Sequence, residues 1–226
     1  MERREDYWLR TPDGARFRFD PGSLCLAFVY TGGEAERSVF EALHAPADLA
    51  RWLASSRIGA AVQEVSVEDL AEAKRLREAI WHCAARLAHG QRPRREDLAQ
   101  LNEVACRPPL VPRIDESWDG GRSWAPPVLV GQALSTIARD AIELFGGPLA
   151  ARLRECENPD CALIFLDSSR PGRRRWCSME RCGNRLKLRA FRRRGRGAPE
   201  PPRDTSPGDP RWANDARRGG SDDRDG

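Results

Sequence analysis

Two cysteine pairs of equal span, Cys156-x4-Cys161 and Cys177-x4-Cys182, stand 15 residues apart in a chain of 226 residues. Two cysteines on one tight turn supply two corners of a thiolate tetrahedron, so two such knuckles close the shell that Zn2+ prefers. The intervening residues fit a hairpin in which 162–167 run out, 168–172 turn and 173–176 return to the second knuckle. A closed shell leaves no open position for a substrate, so a site of this kind holds structure. The usual knuckle is C-x2-C, and the wider spacing leaves redox chemistry as an alternative. Three further cysteines, Cys25, Cys83 and Cys106, lie among apolar residues with no partner at ligand spacing and read as small buried hydrophobes.

The formal net charge of +4 conceals a segregation. Residues 152–196 hold 14 Lys/Arg against 5 Asp/Glu, leaving 24 basic and 29 acidic residues elsewhere. Four thiolates around one dication remove only about two units of positive charge, so this segment stays strongly basic, as a polyanion partner requires. Beyond the fourth cysteine, Gly183-Asn184-Arg185 leads into a basic amphipathic helix with Leu188 and Phe191 on its apolar side. Arg185, Arg189, Arg192 and Arg196 recur there at helical spacing, with Lys187 and Arg193 beside them. Arg173, Arg174 and Arg175 form a second basic cluster. A row of arginines without interleaved Glu repels itself unless an anion is its neighbour. These nine residues therefore read as a nucleic-acid-binding surface, with an acidic protein partner, a membrane surface or plain solubility as the alternatives. Gly183 reads as giving the backbone room beside the metal, and Asn184 as capping the helix start.

The remainder of the chain reads as mainly α with a small β-hairpin. Phe17 and Phe19 alternate with arginines like a short strand, and Leu24 to Val29 fits strand or helix equally. Amphipathic helices are expected from Ala47 to about Gly59, from the Ser66 cap to Gly90, from Arg94 to Ala105 and from Val130 to Phe145. Ile114 to Trp118 and Arg122 to Trp124 read as a hairpin across Asp119-Gly120-Gly121. Gly146-Gly147-Pro148 reads as the hinge between two domains. The expected division is a loosely ordered start (1–16), an α-rich domain (17–147), a zinc module (148–196) and a disordered tail (197–226).

The stretch from Cys156-x4-Cys161 through Phe165-Leu166-Asp167-x-Ser169-Arg170, Arg174-Arg175-Trp176-Cys177-Ser178-Met179 and Cys182-Gly183-Asn184-Arg185 resembles the CGNR zinc-finger family. Upstream, Gly22-Ser23-Leu24-Cys25-Leu26-Ala27-Phe28-Val29, Leu49-Ala50-Arg51-Trp52, Leu76-Arg77-Glu78, Leu101-Asn102 and Ala138-Arg139-Asp140-Ala141 look like the ABATE domain that usually precedes that finger. The resemblance spans about residues 17–195. It implies a bacterial transcriptional regulator, stress-linked, that binds DNA or RNA, with DNA the partner expected ahead of RNA; the zinc module is expected to be treble-clef-like. One departure is visible: Tyr30-Thr31 stands where the N-terminal domain commonly has an Asn-Thr pair, which bears on any ligand that Asn would hold.

Catalytic patterns are not found. The chain has three histidines (His44, His82 and His89), no Gly-x-Ser-x-Gly elbow and no phosphate loop. An enzyme in the N-terminal domain stays only as a second alternative, after a protein-interaction adaptor whose basic module meets an acidic partner. Arg77, Asn102, Arg139 and Asp140 lie at or near apolar helix faces. They read either as an ion-pair network joining the helices or as a pocket for a small anionic effector. No run approaches the roughly 18 apolar residues of a membrane span, and the charged start lacks a secretory signal, so a cytoplasmic protein is expected. Losing a zinc ligand is expected to unfold residues 156–196 and largely spare the helices. Removing residues 198–226 should leave thermal stability nearly unchanged, because they carry few apolar groups. A fall in melting temperature of more than about 4 °C would show that Trp212 is docked.

Overall fold

The structure, a computed structural model, describes residues 8–10, 14, 16–114, 121–184 and 187. The expected tail, and the basic helix apart from Asn184 and Lys187, lie outside the described residues.

Side-chain caps set the helix starts. Ser66 and Asp69 cap reciprocally at the start of α3 (Val67–Ala88), at 3.0 and 2.9 Å, each satisfying a backbone N–H that the first turn leaves without a partner. Asp48 accepts from the His44 and Ala45 amides ahead of α2 (Pro46–Ser55). Gln132 accepts from the Leu129 amide ahead of α5 (Val130–Gly146). The ambiguous run Leu24 to Val29 is a helix, α1 (Leu24–Val29), for the same reason: Ser23 Oγ accepts from the Leu26 amide, and Asp140 on α5 accepts from the Cys25 amide at 2.8 Å. The helix α4 (Arg95–Ala105) packs on α3 and α5, and α1 lies against both. These four helices enclose Leu26, Phe28, Leu76, Ile80, Leu101, Leu134 and Ile137, all buried.

Three short antiparallel pairs complete the fold. They are β1 (Trp8–Arg10) with β2 (Arg16–Arg18), β3 (Pro112–Ile114) with β4 (Arg122–Trp124), and β5 (Leu153–Glu155) with β6 (Ile164–Leu166). The first arm of the β3–β4 hairpin thus begins two residues earlier than Ile114, and residues 115–120 lie outside the described set. Gly146-Gly147-Pro148 ends α5 as expected, but it is a corner: a 3-10 turn (Pro148–Arg152) leads directly into β5, which packs on α3. All described residues fall within one compact unit, with a hydrophobic core that continues from the helices through Leu153, Ile164, Phe165 and Leu166 to the four clustered cysteines.

The seam between the helices and β6 is polar at its backbone and apolar in its side chains. One edge of β6 pairs with β5. On the other edge, the Tyr30 hydroxyl donates to the Ile164 carbonyl at 2.9 Å and accepts from the Ile164 amide at 2.6 Å, while the Leu166 amide donates to the Pro21 carbonyl at 2.8 Å. Burial pushes the Tyr30 phenol well above its ordinary pKa, so the hydroxyl keeps the proton it donates. Gly22, at φ +95°, passes so close to Leu166 that a Cβ would sit 2.9 Å from the Leu166 Cβ. Both the positive φ and the close approach demand glycine there.

Replacing Tyr30 by Phe would leave the buried amide and carbonyl of Ile164 without partners. The expected cost is about 2 kcal/mol, seen as a melting temperature lower by about 4–8 °C. An unchanged melting temperature would mean that water or a backbone shift replaces the hydroxyl.

Candidate metal centre

The first knuckle is held between β5 and β6. The Cys156 amide donates to the Leu163 carbonyl at 2.9 Å, extending the ladder beyond the strands, and the Cys161 amide donates to the Asn158 carbonyl at 2.8 Å, closing a turn. Asn158-Pro159-Asp160 supplies residues that favour such a turn. The second knuckle lies in a π-helical turn (Met179–Gly183), where the Cys182 and Gly183 amides both donate to the Ser178 carbonyl. The zinc module is therefore a hairpin with its first knuckle at the tip and its second at a helical turn.

The expected hairpin partner was wrong. Ile164 to Leu166 pairs with Leu153 to Glu155, ahead of the first knuckle, and not with 173–176. A single side chain explains the difference. Asp167 is fully buried and accepts from the Ser169 and Arg174 amides, both at 2.9 Å, so the loop is closed by a carboxylate rather than by a ladder. Burial works to raise the pKa of Asp167, but these bonds outweigh it and hold the carboxyl below its ordinary value.

The four sulfurs lie within 4.8 Å of one another, with Cys161 to Cys177 at 3.6 Å and Cys177 to Cys182 at 3.5 Å. A tetrahedron with Zn–S bonds of about 2.3 Å has edges of about 3.8 Å, whereas a disulfide would need about 2.05 Å. The spacing therefore fits a shared metal and excludes a bond between the sulfurs. All four cysteines are buried. Together they hold one structural zinc ion.

The surroundings suit thiolates. The Asn158 amide group donates to Cys182 Sγ at 3.3 Å, the Cys177 backbone N–H to Cys156 Sγ at 3.4 Å, and Arg181 to Cys161 Sγ at 3.7 Å. Hydrogen bonds from neighbouring cysteines hold Cys182 far below the ordinary thiol range and Cys156 at about 7, and proton sharing pushes Cys161 and Cys177 up. Binding a dication displaces the protons that remain. Four thiolates and Zn2+ carry a double negative charge, and two arginines lie against it. Arg181 also stacks on Phe17 at 4.4 Å. Arg174 stacks on Phe165 at 4.2 Å and donates to the carbonyls of Trp176, Cys177 and Asp20.

Asn158, Asp167 and Arg181 were not singled out from the sequence. The Asn-Pro-Asp turn inside the wide first knuckle was the available signal for Asn158. At Gly183 a Cβ would lie 2.8 Å from the Met179 sulfur and 3.2 Å from the Trp176 ring, so a larger residue would have to displace the exposed Met179 side chain. Asn184 is exposed and caps nothing among the described residues. Of the isolated cysteines, Cys25 and Cys83 are buried, but Cys106, just beyond α4, is exposed.

The basic residues divide by role. Arg173 and Lys187 are exposed, as is Arg170, and none of the three has an acidic partner among the described residues. Arg175 pairs with Glu157 at 2.6 Å at the surface, and Arg174 is committed to the module's interior. Arg185, Arg189, Arg192, Arg193 and Arg196 lie outside the residues whose side chains are described.

The four effector candidates are dispersed. Arg77 is buried and bonds both carboxylate oxygens of Glu41 at 3.1 and 2.9 Å, beside an Arg37–Glu78 pair. Asp140 caps α1, while Arg139, exposed, donates to the Ala105 and Arg107 carbonyls at the end of α4. Asn102 is exposed on α4. Among the described residues, no hydrogen bond or ion pair joins any two of the four.

The molecule is thus a helical domain sharing its core with a treble-clef-like zinc module. Residues 22–148 match the ABATE family, described as a putative stress-induced transcription regulator, and residues 152–195 match the CGNR zinc finger. The chain belongs to the ABATE family and carries the CGNR finger after it. No match was found among curated proteins. Among the described residues no helix is long and apolar enough to cross a membrane.

The continuous core argues that losing the metal would also loosen the helices, against the expectation that it would spare them. Burial of Ile164, Phe165 and Leu166 contributes about 1.5–3 kcal/mol each, and these side chains are held next to the first knuckle. Cys182→Ser should lose zinc by metal analysis and also lower the protection of α3 amides in hydrogen exchange. Wild-type protection of α3 in a zinc-free variant would refute the shared core. Asn158→Ala should keep the fold and weaken zinc retention against a chelator by about tenfold or more.

Proposed function

We propose that the chain is a non-enzymatic, cytoplasmic transcriptional regulator whose zinc module binds nucleic acid through phosphate contacts, while its helical part takes a small anionic effector. The observation that carries this reading is the unpaired positive charge of Arg170, Arg173 and Lys187 on the zinc module, in a segment that continues into Arg189, Arg192, Arg193 and Arg196. Three of the module's five acids are engaged elsewhere: Glu155 faces His89, Glu157 is used by Arg175, and Asp167 is buried. Arginine is suited to bidentate phosphate contact, and the surface ion pair of Arg175 is weak enough for a phosphate to displace. The family's description as a transcription regulator supports DNA over RNA. Arg185 belongs to the same proposed surface.

The test is binding to duplex and single-stranded DNA and to RNA by fluorescence anisotropy across salt, with heparin as a charge control. Each phosphate neutralised on duplex DNA contributes about 0.9 to the slope of log affinity against log salt. Replacing Arg189 and Arg192 together by Ala should therefore flatten the slope by about two units, equally for all sequences, with zinc retained. Arg173→Ala should remove about one unit. A wild-type protein with no affinity at low salt for any of the three would defeat this reading and favour an acidic protein partner.

A further inference from the structure

A half-open cavity of about 400 Å3 lies between the β1–β2 hairpin, α1 and α2. Four aromatic residues, Trp8, Tyr30, Phe40 and Trp52, stand among its walls. Their positions are set by ring contacts. Trp52 lies 5.1 Å from Phe28, and Tyr30 lies 6.3 Å from Phe40, edge to face. Cavities of about 150 Å3 already admit benzene, so this volume accommodates two fused rings.

Two charged groups reach the cavity, and only one is compensated. Burial works to raise the pKa of Glu41, but Arg77 and Lys74 outweigh it and hold the carboxyl below its ordinary value. Its oxygens are already bonded to Arg77 and the Leu43 amide, which leaves little to attract a cation. Arg16 is exposed at the mouth, 5.2 Å over the Trp8 ring, with no acidic partner among the described residues. A guanidinium without an acidic partner, over one aromatic ring in a cavity that three more aromatic residues line, is complementary to a planar ring bearing a carboxylate.

We infer that this cavity is a binding site for an aromatic carboxylate, with the ring between Trp8, Phe40 and Trp52 and the carboxylate on Arg16. The site rests on the effector reading and gives it a location and a ligand class. It differs from Arg77, Asn102, Arg139 and Asp140: only Arg77 approaches it, through Glu41, and Arg77 is consumed there as the counterion.

The experiment is calorimetry on the full zinc-loaded chain with three probes of one shape: 2-naphthoate, its neutral amide and the corresponding naphthylmethylammonium. 2-Naphthoate should bind once per chain and about tenfold more tightly than the amide, the size of one charge-assisted contact. Arg16→Gln should bring it down to the level of the amide. Val39 is a half-exposed lining residue, and Val39→Trp should block all three probes without lowering the melting temperature. Cation binding that equals 2-naphthoate binding overturns the proposal, as does a wild-type protein that does not bind 2-naphthoate saturably. Binding that survives both variants overturns the site and leaves the effector reading intact, because the anion then sits elsewhere. The effector reading is tested apart from the cavity by whether a panel of small organic anions raises the melting temperature of the Val39→Trp protein.

Discussion

The outer edge of β6 is the constraint around which the molecule is arranged. A buried strand edge must satisfy its amides and carbonyls without water, and here those partners come from far away in sequence. The Tyr30 hydroxyl takes both polar groups of Ile164, and the Pro21 carbonyl takes the Leu166 amide. This arrangement lets Ile164, Phe165 and Leu166 enter the helical core, and it fixes β6 while the first zinc knuckle lies immediately ahead of it. The metal and the helices consequently stabilise one unit. Zinc binding free energy, which in an isolated finger folds only the finger, is available here to α1 and α3 as well.

The same coupling accounts for the inward arginines. A thiolate-zinc centre with a double negative charge, set in an apolar interior, needs compensation close by. Arg174 and Arg181 supply it, each stacked on an aromatic ring that belongs to the shared core. Arg174 additionally binds the Asp20 carbonyl, so a residue that sequence alone places among the nucleic-acid contacts also fastens the module to the segment that follows β2. Among the described residues the zinc module presents fewer free cations than its count of Lys and Arg implies.

What the sequence made legible was local. The zinc ligands follow from spacing, the Ser66 cap and its helix from a three-residue pattern, and the ends of α4 and α5 from Pro and Gly. Pairing in space was not legible. The partner of β6 was misassigned because a buried carboxylate, Asp167, closes the loop that would otherwise have been a hairpin, and a lone Asp in a turn gives no sign of burial. Tyr30 was visible only as a departure from a family pair. Its role depends on a strand that follows 134 residues later. The segregation of charge along the chain was legible, but which arginines face inward or hold a counterion was not, since neither burial nor a partner can be read from an arginine's neighbours in sequence.

Tyr30 also lines the aromatic cavity, so one side chain is both a wall of that space and the hydrogen-bond partner of β6. Contact alone does not make two sites communicate: a ligand shifts an equilibrium only by its difference in affinity between two states. The arrangement nevertheless defines what such states would have to be. In one, the Tyr30 hydroxyl holds Ile164; in the other, it releases a buried amide and carbonyl, at about 1–3 kcal/mol for each unsatisfied group. For the two groups together that is about 2–6 kcal/mol, at or above the roughly 1–3 kcal/mol typical of coupling between sites. A ring that packs on Tyr30 would couple to the knuckle only by contacting these two states differently.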